Sequence, residues 1–353
     1  MKTVLLFDVI FPNGHRELNN RILKILSELP INLIVINRED YYFVKSPNIK
    51  YKSPKYIKIF KGTLISRLCL FVNFLLAKCT LLFSKYDSVI YTTYPNVNFY
   101  FEHFFFKKEI PIILMNHNNI DLLASKKIRN FFLKYANKVN HIVFAPYMKN
   151  HLKTMGVDGN RIYYLPHPIN LKSNYTSKKE LFALSMGLES NDDFLKQLVQ
   201  LEKDTSFLYN NGMELTIRSK NLVVKDCTTI NVLTKYLSQE EYENLYYRAK
   251  YAFVFYPYTY QYRFSGVIMD SLASGAIVIG NRIPIVEHFA KMYPNNCICI
   301  DRISEIPSII SQNKSYSEEE YGTFLKDFSD DTIKNSLQYI ISSVKRNSDE
   351  YIN

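Results

Sequence analysis

Short apolar runs alternate with longer amphipathic stretches along this chain, the pattern of an α/β protein with parallel strands. Thr3 to Ile10 is apolar except for Asp8 and predicts a buried first strand. The turn formers Phe11-Pro12-Asn13-Gly14-His15 follow, and then Leu18, Ile22, Ile25 and Leu29 recur at helical spacing. Ile31 to Ile36 is the next strand, so the chain opens on a βαβ unit. Asp87–Tyr94, Ile110–Met115 and His141–Ala145 read as further strands. Leu171 to Lys179 is polar and without periodicity, which predicts a linker.

Beyond the linker the alternation resumes, with strands expected over Leu181–Ser185, Glu214–Arg218, Ile230–Leu233, Ala252–Tyr256, Ala276–Ile279 and Cys297–Asp301. Ser238 and Glu241 form a capping box at the start of one helix. A second helix runs from Gly266 to Ser274 and is ended by Gly275 at the position of a C′ glycine. From Glu318 onward the chain is helical and polar. The pattern divides into a domain over residues 1–170, a linker over 171–179, a second domain over 180–330 and a C-terminal helix over 331–353.

The stretch from Lys55 to Lys85 is the most hydrophobic long segment, yet Arg67, Asn73 and Lys78 interrupt it. On a helix Arg67, Lys78 and Lys85 fall within roughly 20° of one another, with an apolar face opposite. That pattern fits a helix packed in the first domain with one solvated edge, or one lying in a bilayer interface. Residues 125–134 add a basic helix carrying Phe131 and Phe132.

Charge sharpens this reading. Residues 1–170 hold 24 Lys and Arg against 10 Asp and Glu, a net of +14, while the remainder hold 20 against 23. A basic first half suits an anionic membrane surface. No zinc-finger, helix-turn-helix or RNP pattern accompanies it, so no nucleic-acid partner is expected. The 5 scattered cysteines argue for a reducing compartment and against a disulfide framework. Cys297 and Cys299 alternate across a strand instead of converging on a metal. Asp8 interrupts the N-terminal run and no small-residue cleavage site follows, which predicts a strand and no signal peptide.

The chemistry concentrates between Ala252 and Gly280, AFVFYPYTYQYRFSGVIMDSLASGAIVIG. This is a strand, loop, helix and strand of about thirty residues, the length of a parallel crossover. Its loop delivers Arg263, Ser265 and Gly266 to a helix N-terminus, where free amides and the positive dipole end suit a phosphate. The second half, Asp270-Ser-Leu-Ala-Ser-Gly-Ala-Ile-Val-Ile, resembles the donor motif of retaining GT-B glycosyltransferases, Glu-x7-Glu within a sequence like EGFGxxxxEAxAxGxPV. Asp270 stands for the second Glu and Tyr262 for the first. Arg263-Phe264-Ser265-Gly266 is similar to an Arg-x-Ser-Gly version found in some polysaccharide-assembling members.

This resemblance implies two Rossmann-like domains facing a central cleft, and transfer from a nucleoside diphosphate sugar to a saccharide or lipid-linked saccharide acceptor at the cytoplasmic membrane face. It assigns the ribose hydroxyls to Asp270, the diphosphate to Arg263, Arg218, Lys220 and the Ser265 and Gly266 amides, and the base to Leu233 through Tyr236. His117, which follows a predicted strand within Asn116-His117-Asn118-Asn119, would reach the transferred sugar. Asn13, Gly14 and His15 would contact the acceptor. Retention requires no protein base, because the leaving phosphate takes the acceptor proton; inversion would put the base at His15 or Glu17. No DxD-like pair is present, so neither a metal nor an organic cofactor is expected. A catalytically silent GT-B-like binding protein and a nucleotide-sugar epimerase remain open alternatives.

Overall fold

The computed structural model describes residues 1–8, 16–37, 41–60, 63–117, 119–169, 179–187, 189–235 and 237–344. Asn13, Gly14, His15 and Tyr236 lie outside the described residues, as does the 171–178 part of the expected linker. The chain divides into two compact units, each with its own sheet and core. One takes Met1–Pro168, Tyr262–Phe264 and the segment from Asp330 onward, and the other takes Ile169–Gln261 and Ser265–Ser329.

The first unit is built in order from β1 (Thr3–Asp8), α1 (Arg16–Ser27), β2 (Asn32–Ile36), β3 (Ile49–Lys52), α2 (Thr63–Thr80), β4 (Ser88–Thr93), α3 (Asn96–Glu102), β5 (Ile112–Met115), α4 (Lys126–Leu133), β6 (Asn140–Val143), α5 (Pro146–Thr154) and β7 (Ile162–Tyr164). Its strands pair in parallel in the order β3-β2-β1-β4-β5-β6-β7. Val4 to Asp8 of β1 are all buried, as a strand covered on both faces requires. β3 is missing from the sequence reading because its four residues, IKYK, form a run too short and too polar to signal a strand.

The second unit contains β8 (Glu180–Ser185), α6 (Asp192–Thr205), α7 (Phe207–Asn210), β9 (Glu214–Arg218), β10 (Ile230–Leu233), α8 (Gln239–Arg248), β11 (Ala249–Val254), α9 (Gly266–Ser274), β12 (Ile277–Asn281), α10 (Pro284–Met292), β13 (Cys297–Ile300), α11 (Ile306–Ser311) and α12 (Glu318–Asp327). Its parallel order is β10-β9-β8-β11-β12-β13. In both units the order reverses beside the first strand, which is the doubly wound Rossmann arrangement. β11 begins three residues before the apolar run that predicted it, because Ala249 and Tyr251 already pair with Glu180 and Ala183 of β8. Gly280 of β12 admits no side chain: a Cβ there would lie 2.8 Å from Val286 Cγ2 and 2.9 Å from the Val254 carbonyl.

The last helix, α13 (Asp330–Ser343), belongs to the first unit. It buries Ile333, Leu337, Ile340 and Ile341 in that core, and Asp330 pairs with Arg21 of α1 at 2.7 Å.

The face assigned to the 55–85 segment needs correction. The helix covers only Thr63–Thr80, so Lys85 is not on it. Lys78 is turned inward, with Nζ 4.0 Å from the Phe106 ring centroid and 3.2 Å from Tyr86 Oη. Burial lowers its pKa.

Candidate functional site

In doubly wound sheets ligands bind beyond the C-terminal strand ends, where the strand order reverses. In the second unit that point lies between β8 and β11. Gly187 follows β8 there, and a Cβ on it would lie 2.8 Å from Ser190 Oγ and 3.4 Å from the Tyr256 ring, so the βα turn needs glycine for close approach. Tyr256, just past β11, is fixed by Asn281, whose Oδ1 accepts from its backbone N–H and whose Nδ2 donates to its carbonyl. The Tyr256 hydroxyl lies 2.7 Å from Ser265 Oγ, and its ring stacks on Tyr260 with centroids 4.2 Å apart.

Ser265 is the N-cap of α9, accepting the Ile268 N–H at 3.2 Å, and Gly275 at φ +80° closes the helix. The Ser265 side chain is therefore occupied by the cap and by Tyr256, which leaves anion recognition to backbone amides. The first turn of α9 carries no acidic residue, whereas α6 begins with Asp192 and Asp193. Those carboxylates offset the dipole of α6, so the α9 N-terminus is the better of the two for a phosphate.

Asp270, on the fifth position of α9, is buried and accepts a 2.9 Å hydrogen bond from the Tyr242 hydroxyl at Oδ2. Tyr242 lies 3.2 Å from the hydroxyl of the fully buried Tyr246, one turn on along α8. Burial, then the Tyr246 and Asp270 charges, hold the Tyr242 phenol neutral far into the alkaline range. The phenol orients this carboxylate, a group able to accept about four hydrogen bonds. The sequence reading missed Tyr242, whose signal was its i, i+4 spacing from Tyr246 on a helix adjacent in sequence to the motif.

Arg218 and Lys220, at the end of β9, line a cavity of about 140 Å³ together with Gly187, Ser190, Asp192 and Leu195. That volume is well below the roughly 300 Å³ at which drug-sized ligand sites begin, and it suits a phosphate-sized group. Asp192 sits in the same cavity, held by Asn221 Nδ2 at 3.1 Å, and offsets part of the positive charge. A larger groove of about 800 Å³ on another side of α6 is lined by Asp193, Asp204 and Asp301, with Arg302 as its cation. Its sign is wrong for a diphosphate. Leu233 ends β10, where the base was expected.

The remaining candidates belong to the first unit. His117, at the end of β5, is buried with its ring 4.6 Å from Phe144 and 6.4 Å from His167, and its amide donates to Asn119 Oδ1. Arg263, expected to face a diphosphate, donates through Nε to Asp121 Oδ2 at 2.6 Å. Asp121 also accepts the Tyr262 N–H at 2.6 Å, and the Tyr147 hydroxyl donates to the Arg263 carbonyl at 2.5 Å. Phe264 stacks on His167 with centroids 4.7 Å apart, and Tyr262 on His151 at 3.4 Å. Asp121 gave no signal in sequence, because a lone acid in a loop is ordinarily surface charge. Among the described residues no group of three or more His, Cys, Asp and Glu is placed to hold a metal ion.

No protein-family model and no curated protein matches the chain in sequence. Solved structures match it in fold. HepE from Anabaena, in complex with UDP-glucose, aligns over 98% of this chain and 100% of its own with a TM-score of 0.67 at 12% identity. A glycosyltransferase from Rickettsia africae aligns over 96% and 97% with a TM-score of 0.66 at 14% identity. An E. coli trehalose-6-phosphate structure bound with UDP-2-fluoro glucose aligns over 97% and 98% with a TM-score of 0.62 at 11% identity. With two doubly wound units and near-complete alignment to these structures, the chain has the GT-B fold.

Proposed function

We propose that this protein is a glycosyltransferase that moves a sugar from a nucleoside diphosphate sugar to a saccharide or lipid-linked saccharide in surface polysaccharide assembly. The observation that carries the reading is the crossover after β11. There an acid-free helix N-terminus bearing Ser265 and Gly266 is followed one turn on by the oriented Asp270, beside the Arg218 and Lys220 cavity of the same unit. The amides and the two cations take the diphosphate, and Asp270 takes the ribose hydroxyls by charge-assisted hydrogen bonds. Charge that builds on the leaving phosphate as the glycosidic bond breaks is then met by groups already in place. By resemblance to the family, Leu233 and Tyr236 are assigned to the base, His117 to the transferred sugar and Asn13, Gly14 and His15 to the acceptor, while Arg263, paired with Asp121, is assigned to the diphosphate by its place in the motif alone.

The reaction proceeds with retention and without metal or resident cofactor, and the leaving phosphate accepts the acceptor proton. The enzyme works peripherally at the inner face of the plasma membrane. Support for that location comes from the +14 charge over residues 1–170. A second reading, a silent binding protein, is favoured by Tyr262, which replaces the first Glu of the motif and lies flat on His151.

Thermal shift with UDP-, GDP-, ADP- and CMP-sugars separates the two. One nucleotide class at a hundredfold excess over its dissociation constant stabilises the fold by about 2.7 kcal/mol. Asp270→Asn weakens that binding by about 1–3 kcal/mol through loss of a charge-assisted hydrogen bond. No shift with any donor would favour the binding protein.

A further inference from the structure

Helix α2 is apolar on more of its surface than the first unit covers. Asn73, Phe74 and Ala77 are buried beneath it, while Leu64 is 80% exposed and Leu68 63%. From Leu64 and Leu68 an apolar stripe continues in steps of three and four residues through the half-buried Val72 and Leu75 to the exposed Cys79 near the end of the helix, and the exposed Leu82 follows in the turn beyond it. A second exposed group adjoins it where α3 ends: Phe101, Phe104 and Phe105. Phe105 reaches α2 through ring contacts with Phe71 and Phe74, with centroids 6.0 and 5.5 Å apart. Phe101 reaches α4 through Phe131 at 6.2 Å. The phenylalanine group is thus tied to α2 through the half-buried Phe71 and the buried Phe74, and to α4 through Phe131. Scattered exposed hydrophobes need no explanation, but an exposed run along one helix face with an aromatic group on the helices packed against it marks an interaction surface.

The charge around the patch selects its occupant. Residues 55–86 contain 6 Lys and Arg and no Asp or Glu, and residues 122–140 contain 5 and none. Lys55, Lys58, Lys107, Lys108 and Lys134 are exposed, and Lys134 Nζ stands 5.3 Å from the Tyr100 ring centroid at the patch margin. A second copy of the chain would set these like charges against one another. An anionic bilayer supplies an apolar interior for the stripe and phosphates for the cations.

We propose that the α2, α3 and α4 face is a docking surface for an anionic lipid bilayer. The Leu64 to Leu82 stripe and the three phenylalanines enter the acyl-chain boundary, and the surrounding lysines contact lipid phosphates. The helix lies on the membrane along a stripe that flanks Arg67, and not along the whole face opposite Arg67 and Lys78, part of which is buried against the core. This deepens the peripheral-membrane reading above and rests on it.

The chain contains no tryptophan, so Phe104→Trp introduces a single reporter. With vesicles of phosphatidylglycerol and phosphatidylcholine its emission is expected to move to shorter wavelength, to be quenched by brominated acyl chains, and to revert as salt rises. Tyr258→Trp, at an exposed site on the second unit, is expected to show neither effect. Leu68→Glu added to the Phe104→Trp protein is expected to reduce vesicle affinity at least tenfold with an unchanged melting temperature. Unaltered emission, equal response to pure phosphatidylcholine, or full binding by the Leu68→Glu protein would each overturn the proposal. So would an emission shift that grows with protein concentration in the absence of lipid, which would identify a second copy as the occupant. The UDP-sugar thermal shift needs no vesicles, so loss of the donor reading and loss of the docking surface are separate results.

Discussion

Two buried ionisable side chains in the first unit pull its stability in opposite directions with pH. Glu102 is completely buried on α3, with the Tyr91 phenol beside its carboxyl group. Burial raises its pKa to about 8, and the Tyr91 phenol beside it reverses only part of that rise. The neutral acid is thus favoured in the fold, and its contribution is complete below the unfolded value near 4.5 and lost as pH rises through about 8. His141 behaves in the opposite sense. Its Nε2 donates to the Ala136 carbonyl at 2.9 Å, and burial lowers its pKa to about 4, so stability is complete above 6.5 and lost as pH falls through about 4. Glu102→Gln keeps the shape without the charge. It should therefore add stability at pH 8, up to about 5 kcal/mol from the size of the shift, and almost none at pH 5. Urea unfolding at the two pH values measures this, and an equal effect at both would show that Glu102 is not protonated in the fold. The acid-side loss should persist in Glu102→Gln and disappear in His141→Gln.

At the scale of elements, legibility in the sequence followed how local the determining interactions are. α9 was readable to the residue because Ser265 and Gly275 at its ends carry their own chemistry, and the capping box of α8 formed as Ser238 and Glu241 predicted. The solvent face of α2 was not readable, since periodicity shows which positions are apolar and not which of them a neighbouring sheet will cover. Arg263 shows the same limit at the site: its place in the motif suggested a phosphate, but its Nε partner, Asp121, lies 142 residues away. Lys179, the last residue of the expected linker, is another long-range case. Its ammonium donates to the carbonyls of Tyr246 and Tyr247 at the end of α8 and of Ser274 at the end of α9, two helix C-termini that favour a cation. Lys179→Met leaves those carbonyls without their donor and should cost about 1–3 kcal/mol. A fall of several degrees in melting temperature, partly restored by Lys179→Arg, is the expected outcome. An unchanged melting temperature would mean that water replaces the ammonium at no cost.

The path of the chain through the whole molecule makes one mutation diagnostic of its organisation. α13 is the last described helix, yet its buried face belongs to the first unit, so a lesion in it should act on strands far earlier in sequence and spare its immediate neighbours. Leu337 is 1% exposed within that core, and Leu337→Ala removes a packed side chain and leaves a cavity at a cost of about 2–5 kcal/mol. A unit of this size has a total stability of roughly 5–15 kcal/mol, so the loss is a large fraction of it. Hydrogen exchange read peptide by peptide should show protection falling across β1, β2 and β4 to β6, and unchanged across β8, β9 and β11 to β13. Addition of a nucleotide sugar should still slow exchange around α9 in the mutant, because Asp270, Tyr242, Arg218 and Lys220 all lie in the second unit. Uniform loss of protection across both sheets would show instead that the two units unfold as a single cooperative body, and the first unit's core would then be no more than half of a shared one.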